Sequence, residues 1–190
     1  MASKLLIALF AAVGLSSAFA ATTTYTADAN HTFAQFEYNH LGFSNQTSRF
    51  NTVAGTVTID QAAKKGSADI TIDTKSVDTG STVFNSHIQS EDFLSTTQCP
   101  TASFQSNDMI FKGEKPVALK GVLTLKGVSK PVTLKITHFE CKKHPMTGAE
   151  YCGANAETKM KRTEFNMGKY APHVGDDVTI LIAIEASKQD

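Results

Sequence analysis

The chain has 190 residues, no tryptophan, and 18 basic against 18 acidic side chains, so its formal net charge at pH 7 is zero. This balance excludes a strongly basic chain overall, so nothing in the net charge indicates binding to nucleic acid or to an anionic membrane surface. The length fits one domain that can bury a sizeable hydrophobic core.

The first twenty residues have the pattern of a secretory signal peptide. Lys4 precedes an apolar run over residues 5–15, and Ala18, Phe19 and Ala20 match the small-residue cleavage site of such peptides. We therefore expect cleavage after Ala20 and a mature, exported domain of residues 21–190. No later segment approaches the ~20 apolar residues of a membrane-spanning helix, so we expect no stable membrane insertion.

Hydrophobic and polar residues alternate at period two through most of the mature sequence, which predicts a mainly β domain. The predicted strands cover residues 32–39, 51–60, 68–74, 101–106, 117–125, 132–139, 150–161 and 177–186, with a further short strand near 109–112. About eight strands joined by short turns are typical of a sandwich or of a small closed barrel.

Residues 78–100 interrupt this alternation and predict one or two short helices, one of them starting at Ser90. Two interpretations fit the segment. In the first, it closes one mouth of a barrel as a lid that includes His87. In the second, it is a surface helix that leaves His87 exposed and packs its apolar side chains against the core. The side chains that dock in this second case are Phe84, Ile88 and Phe93.

The first predicted strand places Phe36, Tyr38 and His40 on one face, because successive strand residues point to opposite sides. The same parity gives an apolar inner face in the other strands. An eight-stranded barrel is just wide enough to be filled by its own side chains or to hold one slender ligand. Gly55 and Gly121 favour space for a ligand, whereas the ten phenylalanines of the mature chain suit either an aromatic-lined cavity or a filled core.

His40 and Arg162 are the polar exceptions on the predicted inner face. A buried guanidinium is costly unless it is paired, and arginine grips a phosphate or a carboxylate through two hydrogen bonds. We hypothesise a head-group site at one end of an apolar tunnel. The alternative is structural, with Arg162 paired to a carboxylate near the barrel rim and His40 at the end of a strand. The candidate carboxylates are Glu37, Asp92 and Glu164.

Cys141 and Cys152 flank the turn sequence KKHPMTGAEY, and a close pair of cysteines forms a disulfide in an oxidising compartment. We predict this bridge, which leaves Cys99 unpaired. A zinc site is not indicated, because the two cysteines and His144 lack a fourth ligand. The sequence contains no G-x-S-x-G or S-x-x-K motif and no phosphate-binding loop, so we expect neither a cofactor nor enzyme activity.

Seven stretches follow one another between Tyr25 and Ala186: FEYNHLGFS, FNTVAGTVTID, ADITIDTKSVDTG, HIQSEDFLSTTQCPTASF, LKGVLTLKGVSKPVTL, KRTEFNMG and VGDDVTILIAIEA. In this order they resemble the YceI-like family of lipocalin-like, polyisoprenoid-binding proteins. The most specific pieces are HLGFS, LTLKGVSKPVTL and the KRTEF segment that contains Arg162.

The resemblance implies an all-β, eight-stranded antiparallel, lipocalin-like barrel with one or two short helices between strands. It implies a periplasmic protein that encloses a long-chain isoprenoid lipid, such as a polyprenyl pyrophosphate or a quinone-like amphiphile, and performs no catalysis. The side chains that we expect to contact the lipid are Phe36, Tyr38, His40, Phe43, Phe84, His87, Ile88, Phe93, Phe104, Met160, Arg162 and Phe165.

Two other functions fit the sequence. One is an enzyme that processes a prenyl lipid, with His40 or His87 as general base beside Arg162. The other is a structural or stress-related barrel with a filled core and no ligand. The sequence also leaves open whether the protein forms a homodimer.

Overall fold

The computed structural model describes residues 22–189, and the predicted signal peptide lies outside these residues. The strands are β1 (Thr23–Ala27), β2 (Phe33–His40), β3 (Ser44–Phe50), β4 (Val53–Asp60), β5 (Lys65–Asp73), β6 (Val77–Asp78), β7 (Thr101–Lys112), β8 (Lys115–Leu125), β9 (Val128–Lys143), β10 (Glu150–Lys161) and β11 (Val174–Lys188). The helix α1 covers Thr82–Ile88, and 3₁₀ turns cover Thr74–Ser76 and Arg162–Phe165. Within the described residues, no helix has the length and apolar character needed to cross a membrane.

Eight antiparallel strands, three of them interrupted, close into one barrel. β1 and β2 act as one strand, because β1 pairs with β4 while β2 pairs with β3. β3 and β4 form the second barrel strand. β5 and β6 form the third, because β5 pairs with β4 and β6 pairs with β3. The strands from β7 to β11 follow in chain order, and β11 pairs back with both β1 and β2. This meander confirms the predicted eight-stranded antiparallel barrel.

The sequence predicts two strands where the structure has the single strand β7. The pairing of β7 with β8 shifts its register between Gln105 and Asp108. Inward side chains therefore change from even to odd positions, so that Phe104 and Met109 are both buried. Such a bulge breaks the alternation of the sequence without ending the strand.

The hydrophobic alternation does not predict strand β3, because most of its residues are polar. Only Ser48 and Phe50 of this strand are buried, so its seven residues offer almost no apolar pattern. The helix also differs from the prediction, since α1 begins at Thr82 and the residues after Ser90 form turns. The Ser81 side chain caps the helix by accepting a hydrogen bond from the backbone N–H of Phe84 (3.4 Å).

The barrel interior contains two hydrophobic clusters, one at each end. We call the end that holds His40, α1 and Arg162 the mouth end, and the opposite end of β10, where the β9–β10 hairpin lies, the far end. The buried members of the mouth-end cluster are Ala34, Phe50, Val53, Ile72, Val77, Ile88, Leu94, Ala102, Leu125, Phe165 and Met167. The buried members of the far-end cluster are Tyr25, Ile59, Met109, Cys152 and Ala186.

Gly55 and Gly121 do not provide ligand space, contrary to the expectation from the sequence. A Cβ atom on Gly121 would lie 2.6 Å from the ring of Phe104, so this ring already fills the room beside the glycine. A Cβ atom on Gly55 would collide with the carbonyl oxygen of Asp69 on the neighbouring strand. Both glycines therefore serve close packing within the barrel wall.

The far end is tied together by a disulfide and a hydrogen bond. Cys141 and Cys152 lie directly opposite each other on β9 and β10 and form the predicted disulfide, with their Cα atoms 4.0 Å apart. The Tyr25 hydroxyl donates a hydrogen bond to Oε1 of Glu150 (2.8 Å), which links β1 to the start of β10. Cys99 is a free thiol.

Candidate ligand-binding site

A cavity of about 500 Å³ lies inside the mouth end of the barrel. Inward side chains of β2, β10 and β11 form its wall, and α1 and the loop after β10 form its rim. Leu41, Tyr170 and His173 line the cavity and are themselves exposed, so the cavity opens to solvent between them. Among the described residues that line it, none is acidic.

Aromatic rings form the part of the wall that belongs to β2 and β3. The Phe36 ring centroid lies 5.5 Å from that of Phe50 and 6.3 Å from that of Tyr38. Rings at these separations pack favourably and present a large apolar surface. His40 is the last residue of β2 and also lines the cavity, so it occupies both positions that the sequence proposed for it, a strand end and an inward face.

Arg162 is buried below the rim, with 6% of its surface exposed. It is the first residue of the 3₁₀ turn that follows β10, and its guanidinium reaches across to the loop before β11. Nε donates to the carbonyl oxygen of Gly175 (2.8 Å), and Nη2 donates to that of Val174 (2.7 Å). Nη1 donates to the carbonyl oxygens of Lys169 (2.8 Å) and Met167. One side chain thus links the end of β10 to the loop before β11 and to the start of β11.

This arrangement corrects the expectation that Arg162 pairs with a carboxylate. Neither Glu37 nor Glu164 forms an ion pair with it within residues 22–189, and Asp92 binds Lys169 instead. Burial lowers the pKa of Arg162, an effect that the nearby negative charge of Asp176 opposes. Four of the five N–H donors of the guanidinium are used by carbonyl oxygens, which leaves one hydrogen on Nη2 and an uncancelled positive charge beside the cavity.

The hydroxyl of Tyr38 is buried in the cavity wall without a hydrogen-bond partner. It is the one buried side-chain nitrogen or oxygen in residues 22–189 with this property. Burial raises the pKa of Tyr38, while the positive charge of Arg162 acts in the opposite direction. An unpaired buried hydroxyl costs about 1–3 kcal/mol. The position therefore favours a ligand that brings its own hydrogen-bonding group.

The rim beside α1 is a stack of rings. The His87 ring lies 5.7 Å from that of Phe84 and 4.9 Å from that of Phe93, between centroids. The Phe93 ring lies 6.3 Å from that of Tyr170, so the stack continues to the loop before β11. Ile88 is buried and anchors the helix, while His87 is exposed at the mouth. The helix therefore docks its apolar side chains and also borders the opening, which combines the two interpretations of this segment.

Nine of the twelve residues that the sequence predicts as ligand contacts line the cavity, and three do not. The nine are Phe36, Tyr38, His40, Phe84, His87, Ile88, Phe93, Met160 and Arg162. Phe43 is 87% exposed at the tip of the β2–β3 turn, so it points away from the interior. Phe104 covers Gly121, and Phe165 is enclosed by the mouth-end cluster with 1% of its surface exposed.

Ten further residues line the cavity and are not among the predicted contacts, namely Leu41, Phe50, Leu94, Leu125, Met167, Tyr170, His173, Val174, Val178 and Ile180. Val178 and Ile180 lie on the predicted inner face of β11, so parity alone was enough to find them. Phe50 belongs to the unpredicted strand β3. Tyr170 and His173 lie in a loop whose sequence has no periodicity, and tertiary contacts bring that loop to the cavity. These contacts are the hydrogen bonds of Arg162, the hydrogen bond from Leu41 to His173 and the packing of Tyr170 on Phe93.

Among the described residues around the cavity, there is no serine, cysteine or carboxylate. His40 and His87, the two bases considered in the enzyme alternative, both line the cavity together with Arg162. Within residues 22–189, no group of three or more metal-ligating side chains comes together. The geometry provides a hollow, apolar interior with a polar patch in its wall, formed by Arg162 and the Tyr38 hydroxyl, as in barrels that bind a hydrophobic molecule.

Comparisons with known proteins agree with this class. The family model for the YceI-like domain matches residues 25–186. The protein YceI of Escherichia coli O6:H1 is 34% identical over 194 residues, with all of both chains covered. The crystal structure of BcnA from Burkholderia cenocepacia superposes with a TM-score of 0.73 at 25% identity, over 84% of this chain and 99% of that one.

A third protein has a similar fold at lower sequence identity. This polyisoprenoid binding domain from Saccharophagus degradans superposes with a TM-score of 0.66 at 17% identity, over 87% of this chain and 98% of that domain. The family model and the relative from Escherichia coli show that the chain belongs to the YceI-like family.

Proposed function

We propose that the chain is a periplasmic carrier of a long-chain isoprenoid amphiphile, exported through the signal peptide of residues 1–20 and active as the domain 21–190. The observation that carries the proposal is the apolar cavity of about 500 Å³ with Arg162 and the unpaired Tyr38 hydroxyl in its wall. The similarity to a polyisoprenoid binding domain supports an isoprenoid over other apolar ligands.

The cavity wall accommodates the apolar tail. Each methylene group that it shields from water contributes about 0.8 kcal/mol. A membrane offers the tail the same gain, so withdrawal of a lipid from a bilayer depends on the fit of the cavity and on the head group. The selectivity of the protein therefore depends on the polar patch of Arg162 and Tyr38.

The polar patch suits a head group that accepts hydrogen bonds. The Tyr38 hydroxyl donates one, the remaining hydrogen on Nη2 of Arg162 donates another, and the guanidinium charge attracts a negative or strongly dipolar oxygen. A polyprenyl pyrophosphate and a quinone both carry such oxygens. The absence of acidic residues from the described lining means that nothing there repels them.

Native mass spectrometry of protein purified from its own periplasm without detergent, followed by solvent extraction, tests this proposal. We expect a stoichiometric prenyl lipid, and a polypeptide mass that corresponds to cleavage after Ala20. Protein that is empty and also fails to take up added polyprenyl pyrophosphate or quinone would contradict the carrier function.

The variant Tyr38→Phe tests the polar patch without disturbing the fold. The lost hydroxyl has no partner in the protein, so we expect unchanged or slightly higher stability, together with roughly tenfold weaker binding of the lipid. Tyr151→Phe is the matched control, since Tyr151 lies at the far end beside His144, and we expect it to bind normally. Equal affinity of Tyr38→Phe and the native protein would remove Tyr38 from the site.

A further inference from the structure

The mouth end exposes more apolar surface than the rest of the described chain. Six large hydrophobic side chains are exposed in residues 22–189, and four of them surround the mouth. These four are Leu41 (48% exposed), Phe43 (87%), Val83 (81%) and Tyr170 (51%). Scattered single apolar residues are ordinary on protein surfaces, but a group around one opening indicates an interaction surface.

Three segments carry these side chains, and contacts hold the segments around the opening. The β2–β3 turn bears Leu41 and Phe43, and the backbone N–H of Leu41 donates to the carbonyl oxygen of His173 in the loop before β11 (3.1 Å). That loop bears Tyr170, whose ring contacts Phe93 beside α1. Val83 lies on α1 next to Phe84, which lines the cavity. The exposed apolar side chains therefore form a rim that is continuous with the cavity wall.

The charges near this rim suit the surface of a phospholipid bilayer. Residues 38–48 and 79–90 contain no aspartate, glutamate, lysine or arginine, in a chain that is 19% charged. No formal charge in the turn or in α1 would have to leave water, and no acidic group there would face lipid phosphates. At the edge, Lys169 lies over the Tyr170 ring (5.3 Å to the centroid) and pairs with Asp92. Tyrosine and lysine side by side are typical of membrane interfaces.

We propose that the rim formed by Leu41, Phe43, Val83 and Tyr170 docks onto a phospholipid bilayer and inserts Phe43 and Val83 below the head groups. The cavity then opens directly into the membrane, so that an isoprenoid enters and leaves without crossing water. This inference rests on the carrier function proposed above. Docking is peripheral and reversible, because it involves a few side chains and no membrane-spanning segment.

The absence of tryptophan from the chain allows a direct test. In the variant Phe43→Trp the new indole is the only tryptophan, and in Met146→Trp it replaces an equally exposed side chain (88%) in the far-end hairpin. Both proteins are mixed with phosphatidylcholine vesicles, with and without brominated acyl chains. We expect a blue-shifted emission that brominated lipid quenches for Phe43→Trp, and water-like emission without quenching for Met146→Trp. Water-like emission from both variants would overturn the proposal.

Vesicle flotation of serine variants supplies the second readout. Removal of one inserted phenylalanine is expected to lower the partition coefficient of Phe43→Ser about tenfold, whereas Met146→Ser should float like the native protein. An equal loss for both variants would overturn the proposal. Emission from Phe43→Trp that shifts without vesicles as protein concentration rises, together with a dimer in sedimentation, would also overturn it, because the rim would then bind a second copy.

Binding of a short-chain prenyl pyrophosphate in vesicle-free solution separates the two proposals. A protein that binds this ligand and fails to dock retains the carrier function and loses the membrane surface. A protein that docks on vesicles and binds neither this ligand nor a quinone retains the membrane surface and loses the carrier function.

Discussion

The mouth end and the far end of the barrel differ in how their inward side chains occupy the interior. The far-end cluster around Tyr25, Ile59 and Met109 contributes no residue to the cavity, and its side chains pack on one another. At the mouth end, apolar residues of the same kinds surround about 500 Å³ of open space. The same strands build both ends, so strand parity alone does not decide which end is hollow.

The difference arises from what closes each end. The far end is filled by the side chains of its own cluster, and the disulfide of Cys141 with Cys152 and the hydrogen bond from Tyr25 to Glu150 add links between strands there. The mouth end is covered by α1 and by the loop before β11, and one buried arginine holds that loop through backbone carbonyl groups. Loops open locally at lower free-energy cost than paired strands do. The mouth end, which contains the cavity, is therefore also the end that can open.

Among the variants that test this difference between the two ends, replacement of Arg162 should lower the stability most. Arg162→Met keeps an unbranched side chain but removes the donor to four carbonyl groups, two in the loop before β11 and two at the start of β11, so we expect about 3–5 kcal/mol lower free energy of unfolding. Denaturant unfolding measures the loss. Hydrogen exchange should show faster exchange in residues 162–175 and unchanged protection at the far end.

The adjacent, exposed Lys161 provides the control, since its ion pairs with Asp176 and Asp177 lie at the surface. Lys161→Met should leave the unfolding free energy close to that of the native protein, because solvent screens exposed ion pairs. A similar cost for both variants would mean that Arg162 does not hold the loop.

A matched pair of isoleucine truncations measures the difference in packing directly. Ile59 is buried in the far-end cluster, so Ile59→Ala should leave a new void and cost about 3–4 kcal/mol. Ile180 already borders the cavity, so Ile180→Ala should cost only about 1–2 kcal/mol, because it enlarges existing space. Thermal and denaturant unfolding compare the two. Equal losses would show that the mouth end is as tightly packed as the far end.

Removal of the disulfide should weaken the far end and spare the cavity. The bridge closes a short loop with a sequence separation of 11 residues, for which the loss of chain entropy predicts about 2–3 kcal/mol. We expect the double variant Cys141→Ser, Cys152→Ser to unfold earlier by this amount and to bind lipid with native affinity. Reduced lipid affinity at full folding would show that the two ends are coupled.

The sequence predicts the barrel and much of the cavity because both follow from alternation. Phe36, Tyr38 and His40 lie on the predicted inner face and in the cavity wall. Alternation does not predict the cavity contacts that turns and loops make, because only regular strands have a period of two. Phe43 has the hydrophobicity of a lining residue but lies at the tip of a turn. Tyr170 and His173 reach the cavity because tertiary contacts, among them the hydrogen bonds of Arg162, hold their loop against the barrel.

The hydrogen-bond partners of Arg162 also could not be predicted from the sequence. Side-chain chemistry suggests a carboxylate, yet backbone carbonyl groups satisfy a buried guanidinium as well, and they carry no signal in the sequence. Gly121 is a second case, because the residue that fills its space is Phe104, which lies across the strand pair in β7. A glycine at position 121 is therefore needed for packing within the barrel wall and does not indicate space for a ligand.

The smallest expected effect concerns the hydrogen bond that seals the far end. Burial, together with the hydrogen bond to Glu150 and its charge, raises the pKa of Tyr25 to about 12. Because the folded-state pKa is above the ordinary value of 10.0, this stabilisation is complete below pH 10 and is lost as the pH rises through about 12. Glu150→Gln should lower the pKa of Tyr25 but leave it above 10.0, since burial, the largest cause, remains. Ultraviolet titration of the phenolate, with Tyr25→Phe to assign the signal, measures both values. A pKa of Tyr25 that does not respond to Glu150→Gln would mean that the far end is sealed by packing and by the disulfide alone.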